Sequence, residues 1–85
     1  MAINKILIDV YIPVAKKSYD MFIPTHLTMY EVLKLIMKIA TEMSGGLFVG
    51  DENTTICNRK DGTILNINLS VNELGLRNGS KLMLI

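Results

Sequence analysis

A well-capped amphipathic helix near the middle of the chain constrains the fold most. Thr28 and Glu31 have the spacing of a capping box, in which each side chain accepts a hydrogen bond from the backbone N–H of the other residue. Gly45 and Gly46 end the helix, because glycine takes the left-handed conformation without steric cost. Between these signals, apolar residues recur at helical spacing, at Met29, Val32, Leu33, Ile36, Ile39, Ala40 and Met43. A stripe this wide must pack against another element.

Two runs of alternating apolar residues precede the helix and predict two strands. The first has an apolar residue at every second position from Ile6 to Ile12. Pro13 ends this run, since proline has no N–H for a ladder bond. The second run extends from Tyr19 to Ile23, before Pro24. Because the connection between them is short, the two strands should form an antiparallel hairpin.

The residues after the helix predict shorter elements. We expect a loop over 47–53, a short strand over 54–58 and a short partner strand over 63–65. Residues 69–75 predict a capped helical turn, and Asn78-Gly79 predicts a tight turn before a last strand over 81–85.

The order of these elements predicts the topology of the sheet. The first and last strands should pair in parallel at its centre, because the helix lies in the crossover between them. The predicted fold is α+β, a ubiquitin-like β-grasp with a mixed sheet of four to five strands packed on one central helix. Eighty-five residues suffice for one small domain, so we predict a single domain over residues 1–85.

Three stretches of the sequence resemble the YukD/EsaB family, the small ubiquitin-like accessory proteins of type VII (ESX-like) secretion in Gram-positive bacteria. They are the opening strand over 6–11, the segment 18–24 leading into Leu27-Thr28 and the helix, and the close over 69–85. The resemblance covers nearly the whole chain, and its motifs are structural. It implies a non-enzymatic, cytoplasmic accessory or regulatory protein that docks on the cytosolic side of the membrane secretion apparatus, with no catalytic residues.

Composition and charge weigh against several other classes of protein. The net charge of +1 provides no basic excess to neutralise phosphates, so we expect no nucleic-acid partner. No apolar run is long enough to span a bilayer, and the first residues lack the pattern of a signal peptide. The single cysteine cannot form an internal disulfide, which suits a reducing cytoplasm.

The open face of the sheet is the candidate binding surface. If the apolar residues of the alternating runs face the helix, a second set faces the other way and forms a partner-binding patch. This set comprises Leu7, Phe22, Met83 and Ile85, and we place Cys57 with them. The patch would receive a protein partner or a second copy in a homodimer. Two alternatives stay open: scattered surface apolar residues are normal, and a register slip of one residue would exchange the two faces.

Catalytic and metal chemistry find no support in the sequence. Cys57 has no base or cation placed to activate it, and His26 has no second ligand at metal-site spacing. We therefore predict no enzyme activity, no cofactor and no metal. One alternative is a generic β-grasp adaptor unrelated to secretion. The other is a sulfur carrier or modifier, which needs a flexible Gly-Gly tail; here the only Gly pair ends a helix, so that role would require a longer, processed C-terminus.

Overall fold

The computed structural model describes residues 4–85, and residues 1–3 of the predicted domain lie outside that range. Two long strands come first, then the helix, then two short strands. Their bounds are β1 Lys5–Ile12, β2 Lys17–Pro24, α1 Met29–Met43, β3 Ile56–Asn58 and β4 Lys81–Leu84, with a 3₁₀ turn at Pro13–Ala15 between β1 and β2.

The sheet has the order β2-β1-β4-β3 and mixed strand directions. β1 pairs with β2 antiparallel and with β4 parallel, and β3 pairs with β4 antiparallel. The ubiquitin-like β-grasp is thereby confirmed with four strands. The segment expected to form a fifth strand contributes one isolated bridge, between Ile64 and Cys57.

The capping box forms as predicted at the start of α1. The Glu31 N–H donates to the Thr28 hydroxyl at 3.3 Å, and the Thr28 N–H donates to the Glu31 carboxylate at 3.3 Å. At the other end, Gly45 and Gly46 have φ values of 65° and 89°. The Gly46 N–H donates to the Thr41 carbonyl at 2.9 Å, which satisfies one of the orphan carbonyls of the last turn.

The core lies between α1 and one face of the sheet. On β1, Ile6, Ile8, Val10 and Ile12 are all buried, whereas the residues between them are half-buried. The helical stripe is buried as far as Ala40 except at Ile39, which is half-buried. Met43, which we predicted on that stripe, is 47% exposed. The chain turns back at the two glycines and brings Phe48 onto the core instead.

The segment before β4 fixes the start of the helix. Ser70 and Glu73 form a second reciprocal pair, with the Ser70 N–H donating to the carboxylate at 2.9 Å and the Glu73 N–H donating to the hydroxyl at 3.0 Å. The Met29 N–H donates to the Leu69 carbonyl at 2.7 Å. Val71, between them, is fully buried.

Candidate functional site: the outer face of the sheet

Strand register determines which residues point away from the helix. Leu7 pairs with Phe22, and Asp9 pairs with Asp20, so these four residues share the face opposite the core. We call this the outer face. Because the alternate residues of β1 are buried under α1, the exchanged register considered from the sequence does not occur.

The same rows continue across the other two strands. Tyr11 pairs with Met83, and Met83 pairs with Cys57. One step along, Asp9 pairs with Lys81, and the Arg59 N–H donates to the Lys81 carbonyl at 3.0 Å. Two rows of the outer face therefore extend from β2 to β3 or the residue after it, whereas the Leu7–Phe22 row involves only β1 and β2.

Leu7 and Phe22 form the first apolar group of the outer face. They are direct cross-strand neighbours, with Leu7 half-buried and Phe22 61% exposed. The Lys5 ammonium lies 5.1 Å from the centroid of the Phe22 ring, within the range of a cation–π contact. This group presents the largest exposed ring of the sheet.

Met83 and Ile85 form the second apolar group. Met83 is half-buried, and Ile85 is 53% exposed. Pairing continues beyond β4, because the Ile85 N–H donates to the Thr55 carbonyl at 2.9 Å and the Thr55 N–H donates to the Ile85 carbonyl at 2.6 Å. Ile85 thus follows Met83 on the same face.

Cys57 has the expected register but not the expected exposure. Its side chain is only 1% exposed, and its thiol donates to the Met83 carbonyl at 3.6 Å. The reason is that β3 has neighbours on both sides: the Asn58 N–H donates to Thr63, and the Leu65 N–H donates to Ile56. Burial raises the pKa of the Cys57 thiol, and the nearby Asp61 carboxylate adds to this effect. Cys57 therefore lies beneath the surface and offers a partner no contact area.

A row of four charged residues separates the two apolar groups, which the sequence analysis treated as one patch. We call this the charged row; in strand order it consists of Asp20, Asp9, Lys81 and Arg59. One oxygen of Asp9, Oδ1, is shielded from solvent and has no hydrogen-bond partner among residues 4–85. Three of the four residues can be placed on the outer face from the sequence alone, because Asp9, Asp20 and Lys81 each lie two positions from Leu7, Phe22 or Met83 on the same strand. Arg59 follows only from the register of β3.

Arg59 also contacts the aromatic ring at the centre of the face. Its guanidinium carbon lies 4.2 Å from the centroid of the Tyr11 ring. The guanidinium thus extends from β3 across β4 toward β1. A stacked arginine is well suited to bidentate contact with a carboxylate, because its planar donor fork remains free at the edge.

A metal ion requires several ligating side chains grouped around one point. Across residues 4–85, no three His, Cys, Asp or Glu side chains are grouped so that they could hold a metal ion. A cavity of about 270 Å³ lies beside the start of β4. Lys60, Arg77 and Lys81 contribute to its lining, which includes no carboxylate, thiol or imidazole and hence no acid–base pair. No helix within residues 4–85 has the length and apolar character needed to cross a membrane.

Known protein families and curated proteins show no match to the chain, but solved structures do. The ubiquitin-like domain of EccD5 from Mycobacterium xenopi superposes with a TM-score of 0.80 at 21% identity, covering 95% of this chain and 92% of that one. A chain of the MycP5-free ESX-5 inner membrane complex matches with a TM-score of 0.81 at 13% identity, over 98% of this chain and 21% of the other. A ubiquitin from Caldiarchaeum subterraneum matches with a TM-score of 0.72 at 16% identity, over 95% and 91%. These likenesses establish a ubiquitin-like fold.

Proposed function

We propose that this chain is a non-enzymatic interaction module and a cytoplasmic accessory or regulatory component of a type VII secretion system, of the YukD/EsaB kind. The observation that carries the proposal is the near end-to-end superposition on the EccD5 domain. The match to a chain of the ESX-5 inner membrane complex supports it. The resemblance of the strand and closing segments to the YukD/EsaB family gives independent support from the sequence.

The proposed docking surface is the Leu7–Phe22 end of the outer face. An aromatic ring that is 61% exposed on a regular strand can bury a large apolar area with little loss of conformational entropy. At this end β1 is paired with β2 on one side, and on the other side Leu7 is hydrogen-bonded to Asn78 and Gly79. Binding would cover Phe22 and half-buried Leu7 together, and the neighbouring charged row would orient the partner.

The experiment is affinity capture from a Gram-positive host lysate with the tagged full chain, solubilised membranes included. Wild type should recover a secretion-channel or ATPase subunit, and Phe22→Asp should lose it. Val49→Asp is the matched control, because Val49 is 75% exposed in a loop away from the sheet. Both variants should melt within a few degrees of wild type, since neither replaces a buried side chain. Loss of capture in both variants, or in neither, would contradict docking at Phe22.

The same experiment separates the two alternatives. A generic β-grasp adaptor would recover partners with no secretion component among them. A modifier or sulfur carrier would recover an adenylating enzyme or covalent adducts, and its intact mass from the native host would reveal a processed tail or a thiocarboxylate. In the structure the backbone up to Ile85 is hydrogen-bonded to Thr55, so a flexible tail would have to follow Ile85.

A further inference from the structure

The charged row is segregated by sign across the sheet. Its two acids, Asp20 and Asp9, lie on β2 and β1. Of its two bases, Lys81 lies on β4 and Arg59 directly follows β3. Like charges that stand directly opposite on paired strands are destabilising, so Asp9 and Asp20 oppose folding of the isolated chain. The shielded, unpartnered oxygen of Asp9 adds to this cost. Cations brought from outside would offset the repulsion between the two carboxylates.

A second copy of the chain carries two such cations, Lys81 and Arg59, in the strand order that lets them face Asp9 and Asp20. We infer that the outer face binds a second copy in a two-fold symmetric dimer whose axis runs parallel to the strands, between β1 and β4. Rotation about this axis reverses the charged row on the facing copy. The strand position of Asp20 in each copy then stands opposite that of Arg59 in the other, and the position of Asp9 stands opposite that of Lys81. To pair with Asp20 of the facing copy, the Arg59 guanidinium leaves the Tyr11 ring on which it stacks in the single chain.

The symmetry also fixes the apolar contacts and excludes the other in-plane axis. A strand-parallel axis keeps each row in register, so Tyr11 of one copy faces Met83 of the other. An axis perpendicular to the strands would instead place Asp20 over Asp20 and Lys81 over Lys81, which is repulsive. Face-to-face sheets pack about 10 Å apart with strands aligned to within about 30°, which suits the strand-parallel arrangement.

The size of the face sets the strength of the dimer. Four strands at about 4.8 Å spacing span roughly 19 Å, and the rows from Leu7 to Tyr11 span roughly 13 Å at about 3.3 Å per residue. The face is therefore only a few hundred Å² in area, well below the roughly 800 Å² per partner of a stable interface. The dimer is therefore weak and reversible, with a dissociation constant in the micromolar range or above. It occupies the same face as the docked partner, so the two compete.

The test is sedimentation of the purified full chain from micromolar to millimolar concentration, at low and high salt. Wild type should self-associate, more weakly at high salt because exposed charges are screened. Asp20→Arg and Arg59→Glu should each weaken the dimer about tenfold or more, since each change sets two like-charge pairs face to face. An equimolar mixture of the two variants should associate more tightly than either alone, because each variant supplies the charge that the other needs.

Matched controls test whether the effect of the charge changes on self-association is specific to the outer face. Glu52→Arg and Lys38→Glu carry the same charge changes on an exposed loop and on the exposed side of α1, and should leave the dissociation constant unchanged. Thermal melting of every variant verifies that it is folded. Three results would overturn the inference: a monomeric wild type at the highest concentration, unchanged association in the two variants, or no gain on mixing. The measurement needs no partner, so its failure would leave the docking proposal standing.

Discussion

One side-chain bond and one backbone bond extend the pairing between β1 and the segment that leads into β4. The Leu7 N–H donates to Oδ1 of Asn78 at 2.7 Å, and the Gly79 N–H donates back to the Leu7 carbonyl at 2.8 Å. Asn78 thus takes the place of a ladder residue before β4 begins at Lys81. Replacing it by alanine leaves the Leu7 N–H without this acceptor.

The expected loss follows from the exposure of this hydrogen bond. A hydrogen bond contributes about 0.5–1.5 kcal/mol net, and an unsatisfied buried donor costs about 1–3 kcal/mol. Because the Leu7–Asn78 bond is exposed, water can partly replace the lost acceptor, and the lower figure applies. We therefore expect Asn78→Ala to cost about 1 kcal/mol, which lowers the melting temperature by about 4–8 °C in a domain of this size.

The assay combines thermal unfolding by circular dichroism with amide hydrogen exchange at Leu7. Asn78→Ala should lower the melting temperature and speed exchange of this amide more than that of Val10, on the same strand. Asn78→Asp is the control, because a carboxylate oxygen also accepts the bond and should restore most of the loss. If aspartate melts as low as alanine, or if exchange at Leu7 does not change, the role assigned to the Asn78 side chain is refuted.

Three further predictions concern the core, the helix cap and the thiol. Ile36→Ala, at a fully buried position, should lower the free energy of unfolding by about 2–5 kcal/mol in urea titration, and a loss below 1 kcal/mol would contradict its central place. Thr28→Ala should cost about 1 kcal/mol by the same assay, with serine restoring most of it. Cys57 should react with a thiol reagent far more slowly in the folded chain than in urea; equal rates would refute its burial. Because the pKa of this thiol is raised in the folded state, the unfolded state loses its proton first, and stability should fall as pH rises above about 8.5. A Cys57→Ala variant should lack this alkaline slope.

The parts of the fold that sequence predicted are those governed by local rules. The period of two in β1 fixed which face is buried, because one hydrophobic set must face the helix. The capping box at Thr28 and Glu31 depends only on residues three apart, and it forms. The parallel pairing of the first and last strands followed from the crossover that α1 requires.

The parts that sequence missed depend on how loop segments pack back against the neighbouring strand or helix. Cys57 is buried because residues 63–65 lie along the far side of β3. No local pattern of apolar residues predicts that this contact buries the thiol. Met43 is exposed because Phe48 returns from the following loop to the core. The charged row was overlooked for a different reason: apolar residues alone were followed across the outer face, although Asp9 and Asp20 occupy the same face.

The contact between Leu7 and Asn78 spans 71 positions of the sequence. β1 pairs with both β2 and β4. During translation β1 is the first strand to be made and β4 is the last, so the second neighbour of β1 is synthesised long after β1 itself. The hairpin and helix can form while the ribosome is still working, but the backbone N–H and C=O groups on the β4 side of β1 stay unpaired until Lys81–Leu84 has emerged. A nascent chain arrested before that point would present an open strand edge, which is a template for pairing with another chain.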